Sequence, residues 1–136
     1  ADWLSVQGRA LADLGAVVKE PVTFPVTDAQ KHEAAVVGQV LLVDHYGNIL
    51  TNIPRDLMEA ALTGDPANPA VRGVRARLGS GTPAAFPLVR TYAQVPTGSE
   101  LVLVNSLGLT ELALNQASAG KKFNVNTGDR VELLLP

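Results

Sequence analysis

The sequence predicts a mostly β fold, an antiparallel β-barrel domain with one or two short helices. Three observations predict it. Short β-branched, apolar runs recur from residue 36 to the end of the chain, turn residues separate them at regular intervals, and no stretch sustains a long helical period. At 136 residues and 46% hydrophobic, the chain is one domain in length and can bury a sizeable core.

Leu4, Leu11 and Leu14 are spaced for an opening helix over 3–14, with Gly15 as its stop. Pro21 and Pro25 bracket an extended piece, Val22-Thr23-Phe24, and the polar residues 27–34 read as a surface loop. Residues 1–35 are therefore taken as a helix and linker segment, and 36–136 as the barrel. Val36 to Val43 is a β-branched strand, Tyr46-Gly47-Asn48 is turn chemistry, and Ile49 to Ile53 extends again. Pro54 suits a first helical turn, so Asp56 to Leu62 is expected as a short helix closed by Gly64, and Gly64 to Pro69 as a loop.

The remainder predicts strand after strand. Val71 to Leu78 largely alternates apolar and polar residues, and Phe86 to Tyr92 follows a Gly/Pro loop. Val95-Pro96-Thr97-Gly98 fits a type I turn, with Pro second and Gly fourth. Leu101 to Val104 runs into a second type I signature, Asn105-Ser106-Leu107-Gly108, and Leu109 to Leu114 returns as its hairpin partner. Asn126-Thr127-Gly128-Asp129 turns the chain into a last strand, Arg130 to Leu135.

Composition removes several function classes. The net charge of −2 and the scattering of Arg72, Arg75, Arg77 and Arg90 leave no basic stripe for nucleic acid. With no cysteine there are no disulfides and no thiolate metal sites. No apolar run reaches the ~20 residues of a membrane helix, so neither a membrane nor a nucleic acid is expected as partner. The start at Ala1 is neither an initiator Met nor a signal peptide, and reads like a cut within a longer, cytoplasmic protein.

Catalytic signatures are also missing. His32-Glu33-Ala34-Ala35-Val36 opens like a zinc-protease helix but carries Val36 where the second His belongs. Gly79-Ser80-Gly81-Thr82-Pro83-Ala84 resembles a dinucleotide loop, yet a strand follows it and Pro83 lacks the needed N–H. No catalytic residue and no metal ligand is assigned, and no cofactor is expected.

Two segments carry chemistry. Along an extended backbone Asp44, Tyr46 and Asn48 share one side, placing together a carboxylate for an ammonium, a face for stacking and an amide for an adenine edge. The alternative is that Asp44 and Asn48 only shape a turn in which Gly47 supplies positive φ. The second segment runs from Asn105 to Gln116, where a tight turn offers N–H groups and the Ser106 hydroxyl to a carboxylate, or where Asn105 and Gly108 are plain turn residues. Tyr92 is either a core residue or a second stacking plate.

These segments, in this order, resemble the C-terminal domain of the S-adenosyl-L-methionine (SAM) hydroxide adenosyltransferases, the adenosine-forming SAM hydrolases, which are related to fluorinase and chlorinase. The resemblance rests on Gly38-Gln39-Val40, Asp44-x-Tyr46-Gly47-Asn48-x-x-Thr51-Asn52-Ile53, Thr91-Tyr92, Val95-Pro96-x-Gly98, Val104-Asn105-Ser106-x-Gly108-x-x-Glu111-Leu112-Ala113 and Gly128-Asp129-x-Val131. It implies a trimeric parent enzyme that hydrolyses SAM to adenosine and L-methionine, SAM being substrate rather than cofactor. The ligand would lie between this domain and the N-terminal α/β domain of a neighbouring subunit. That catalytic domain is absent from this chain, so the chain alone is expected to be inactive.

By position, the resemblance assigns Asp44 and Ser106 to the methionine amino and carboxylate groups, with Asn105 beside Ser106 in the motif. It places Tyr46 and Tyr92 flanking the adenine, Asn48 on its edge, and main chain near Asn115 and Gln116 completing the base pocket. Leu107 stands where the halogenating relatives carry Arg, which favours hydrolysis over halide chemistry, and Ala117 replaces the family's common Gly. The geometric expectation is that the 44–48 and 105–108 tips converge into half of a nucleoside pocket. The competing reading is a non-catalytic β-barrel module that binds an adenine ligand or a partner domain.

Overall fold

Alternation along each strand decides what this sheet buries. In β3 (Ile49–Pro54), Ile49, Thr51 and Ile53 are buried while Leu50 and Asn52 face the other side. The computed structural model describes residues 10, 13, 15–23, 25–65 and 68–136. The helix expected over 3–14 falls almost wholly outside the described residues, as does Phe24.

Before β3 come β1 (Gln30–Lys31) and β2 (Ala35–Val43). After it come α1 (Arg55–Ala60), β4 (Thr63–Asp65), β5 (Asn68–Leu78) and β6 (Ala84–Pro87). A 3₁₀ turn at Tyr92–Gln94 leads to β7 (Glu100–Val104) and β8 (Leu109–Leu114), then α2 (Ala119–Phe123) and β9 (Arg130–Leu134).

The sheet order is β4-β5-β9-β2-β3-β8-β7, with β1 beside β2 and β6 beside β5, and every strand pair is antiparallel. The sheet curls. A parallel bridge between Leu88 and Val102, with the Val89 N–H donating to the Val102 carbonyl at 2.9 Å, ties the chain after β6 to β7. Over the described residues the fold is thus the mostly antiparallel, barrel-like β domain with short helices that the sequence predicts.

The core fills the curl with Val36, Val40, Ile49, Ile53, Met58, Phe86, Leu112, Val131 and Leu133. Phe86 is fully buried and meets Phe123 of α2 with ring centroids 5.5 Å apart, within the range of favourable aromatic pairs. Leu101, Leu103 and Ala113 form a second cluster on the other face of β7 and β8, covered by Val89 and Val95. That small cluster anchors the loop carrying Tyr92.

Several sequence expectations shift. Gly64 does not simply close a helix; Thr63–Asp65 forms β4 and pairs with β5, which begins at Asn68, so most of the expected 64–69 loop is strand. Tyr92 lies in a 3₁₀ turn rather than a strand, because Thr91 and Gln94 form a reciprocal capping box and β6 already ends at Pro87. The Val95–Gly98 turn moves one residue on. The Ser99 N–H donates to the Pro96 carbonyl, and Gly98 stands third with φ 81, as a type II turn requires. Helix α2 was not anticipated from the sequence. Five residues are too few for a period, although Ser118 is an N-cap and Asn124 a left-handed C-cap.

Candidate functional site

The 44–48 turn is built by its own side chains. The Asp44 Oδ1 accepts the Asn48 backbone N–H at 2.8 Å and its Oδ2 accepts the Asn48 Nδ2 at 2.9 Å. The Gly47 N–H closes on the Asp44 carbonyl, and the Asp44 N–H on the Asn48 carbonyl. The turn-shaping reading of Asp44 and Asn48 is therefore correct. Both side chains also face a cavity.

That cavity, of about 710 Å³, is lined by Asp44, Tyr46, Asn48, Tyr92, Asn115 and Gln116 among the residues expected in the site, together with Leu50, Glu111, Leu114, Ala117 and Ser118. Asn48 is nearly buried, while Tyr46 is exposed and stacks loosely on His45, with centroids 3.7 Å apart at 42°. Fixing the Asn48 amide through Asp44 leaves its carbonyl oxygen as an oriented acceptor.

The opposite wall is the 115–118 segment. The Asn115 Nδ2 donates to the Val95 carbonyl at 2.8 Å, and its backbone carbonyl accepts the Gly98 N–H at 2.7 Å. Gln116 holds φ 56, a left-handed conformation that costs a non-glycine residue roughly 1–3 kcal/mol and persists only where neighbours enforce it. Ser118 then caps α2 by accepting the Lys121 N–H at 3.2 Å. The two walls touch: the Gly120 N–H donates to the Gly47 carbonyl at 2.9 Å.

Tyr92 roofs the cavity, its hydroxyl donating to the Glu111 Oε1. Burial first, then that bond and the nearby Glu111 and Asp44 charges, push the Tyr92 hydroxyl well above its ordinary value. It is neither a plain core residue nor a free plate, but a ring anchored by its polar tip. Glu111 was missed as a site residue. It lies within the Asn-Ser-x-Gly-x-x-Glu motif, and the β3–β8 register sets it opposite Leu50, on the cavity side.

Asn105 and Ser106 do not line this cavity. β8 runs antiparallel to β3, pairing Leu109 with Pro54 and Leu112 with Ile49, so the 105–108 turn lies at the Pro54 end and Asn48 at the Ile49 end. The Arg55 N–H donates to the Gly108 carbonyl at 3.0 Å, which fixes that placement. Some five residues of strand, about 17 Å, separate the two tips. The expected convergence is overturned by register, and the turn that meets 44–48 is 115–118. Asn105 acts locally, its Oδ1 accepting the Leu107 and Leu109 N–H groups at 3.0 and 3.1 Å.

Residues 38–132 match the SAM hydroxide adenosyltransferase C-terminal domain. The chain belongs to this family. It is 34% identical over 128 residues to a fluorinase from Actinopolyspora mzabensis, covering 93% of this chain and 40% of that protein. It is 32% identical over 129 residues to an (R)-S-adenosyl-L-methionine hydrolase from Salinispora tropica, covering 93% of this chain and 44% of that one. A crystal structure of an uncharacterized conserved protein from Thermotoga maritima superposes with a TM-score of 0.71 at 28% identity, over 93% of this chain and 46% of that chain. This SAM hydroxide adenosyltransferase domain thus spans under half the length of the curated relatives it matches. Among its described residues no helix is long and apolar enough to cross a membrane.

Proposed function

We propose that this domain is the substrate-gripping half of an enzyme that hydrolyses SAM to adenosine and L-methionine, and that its cavity holds the adenosine end. The observation that carries the reading is the gathering of Asp44, Tyr46, Asn48, Tyr92, Asn115 and Gln116 around one cavity of about 710 Å³, a size suited to a nucleoside ligand. The Asn48 amide reads the adenine edge, Tyr46 and Tyr92 flank the base, and backbone near Asn115 and Gln116 completes the pocket. Asn105 and Ser106 stay outside it.

The chemistry comes from elsewhere. The cavity offers no histidine or lysine to activate water, so the nucleophile is prepared by an N-terminal α/β domain of a neighbouring subunit in a trimer, which closes over the bound ligand. The Salinispora tropica relative, named a SAM hydrolase, supports hydrolysis as the reaction.

Two measurements test this reading. Asn48→Ala in the full-length protein is expected to weaken adenosine binding by about 1–3 kcal/mol, the cost of removing a buried hydrogen-bond partner; unchanged affinity by calorimetry removes Asn48 from the site. The 136-residue chain alone is expected to release no adenosine from SAM on chromatographic assay. Release would overturn the assignment of catalysis to a neighbouring domain.

A further inference from the structure

The cavity wall holds two carboxylates, Asp44 and Glu111, and no lysine, arginine or histidine. The two acids are not equivalent. Both oxygens of Asp44 are bonded to Asn48. Glu111 gives only Oε1 to the Tyr92 hydroxyl, and no partner within the described residues meets its Oε2.

Glu111 is 7% exposed, yet the only buried side-chain polar atom without a partner among the described residues is Thr110 Oγ1. The second oxygen of Glu111 is therefore not sealed in protein, and it is reached from the cavity. A neutral hydroxyl orients this carboxylate without cancelling its charge. Between low-dielectric walls a carboxylate attracts an approaching opposite charge far more strongly than in water.

We propose that Glu111 is a specificity-determining residue, a fixed negative charge that selects adenosine derivatives bearing a positive charge on the group attached to the ribose and rejects those bearing phosphate. Tyr92 is its positioning residue. Leu50 and Leu114 supply the apolar surroundings that keep the charge effective. A sulfonium or ammonium compound satisfies the wall, a thioether is indifferent to it, and a nucleotide meets repulsion. The inference rests on the adenosine reading above.

The test is calorimetric binding to the full-length protein of four probes: sinefungin, whose ammonium carbon replaces the sulfur; S-adenosylhomocysteine, a neutral thioether there; adenosine; and adenosine 5′-monophosphate. In the wild type, sinefungin is expected to bind about tenfold tighter than the thioether, and adenosine about tenfold tighter than its monophosphate, as one charge at intermediate dielectric allows. Both ratios are expected to shrink toward one in Glu111→Gln, which keeps an acceptor for Tyr92, and to recover in Glu111→Asp. Ratios unchanged in Glu111→Gln overturn the proposal, as does a monophosphate bound as tightly as adenosine by the wild type, a result that needs no folded variant. If adenosine binds and the wild-type ratios are near one, only the charge selection falls. If adenosine itself does not bind, the adenosine reading falls with it.

Discussion

Gly47 is the point where the two walls of the cavity are pressed together, and replacing it by alanine measures how much that contact matters. Its φ of 90 is a left-handed value that costs an L-residue roughly 1–2 kcal/mol. A Cβ there would also meet Ser118 at 2.0 Å from Oγ, 2.4 Å from Cβ and 2.6 Å from Cα. Moving a side-chain tip would not suffice, because the Cα belongs to the N-cap of α2. Forcing such a group into a packed contact costs about 1–3 kcal/mol more, so Gly47→Ala is expected to lose about 2–5 kcal/mol in all. Gly98 provides the control: its φ is 81, but an added Cβ meets nothing within 4 Å. Gly98→Ala should therefore show the backbone cost alone, about 1–2 kcal/mol. Urea unfolding of the two variants with linear extrapolation gives the comparison. Equal losses for both would mean that Ser118 does not bear on the 44–48 turn, and the account of how the cavity is held would be wrong.

Two titrations probe the charged groups. Tyr92 is expected to stay protonated through the ordinary tyrosine range near pH 10, so phenolate absorbance at 295 nm in the wild type minus Tyr92→Phe should develop only well above it. Since the folded pKa is raised, its stabilising contribution is whole below pH 10 and is lost as pH rises beyond; a difference signal centred near pH 10 would refute the burial of the hydroxyl. Glu132 is held below the usual carboxylate range by its bond to Arg130 first and then by Arg77 at 2.6 Å, so its contribution is present above that range and is lost as pH falls through the lowered value. The wild type should thus lose more stability than Glu132→Gln between pH 7 and pH 3 in urea unfolding, and parallel losses would show that the pairing does not hold in solution.

The strands were legible because alternation and β-branching act locally: Val36 to Val43, Ile49 to Ile53, Leu109 to Leu114 and the final run all appear within a residue or two of their observed limits. What failed depends on neighbours. Whether Thr63–Asp65 is loop or strand is decided by β5 lying alongside it, and the placement of Tyr92 by a capping box and the Leu101–Leu103 cluster beneath its loop. The 105–108 turn was identified correctly as a turn, with the Gly108 N–H donating to the Asn105 carbonyl at 3.0 Å. Its distance from 44–48 could not be read from either motif, because it depends on which strand β8 pairs with and in which register. Only the β3·β8 ladder contains that information.

The same ladder explains how one short segment can both scaffold a turn and line the cavity. A turn whose carboxylate and amide merely satisfied one another would present no oriented group to a ligand, and an amide free of Asp44 would rotate. Here Asp44 fixes the Asn48 amide at one end of β3, while Glu111, paired across from Leu50 one strand over, fixes Tyr92 above it. Both polar groups that face the cavity are held by a second polar group rather than by packing alone, and preorganisation of this kind lowers the entropic cost of binding. The device depends on the antiparallel register that brings Leu50 opposite Glu111. A one-residue slip of β8 would turn Glu111 into the core and Thr110 or Leu112 toward the cavity. Which side chains line this cavity is therefore a property of strand pairing before it is a property of any one residue.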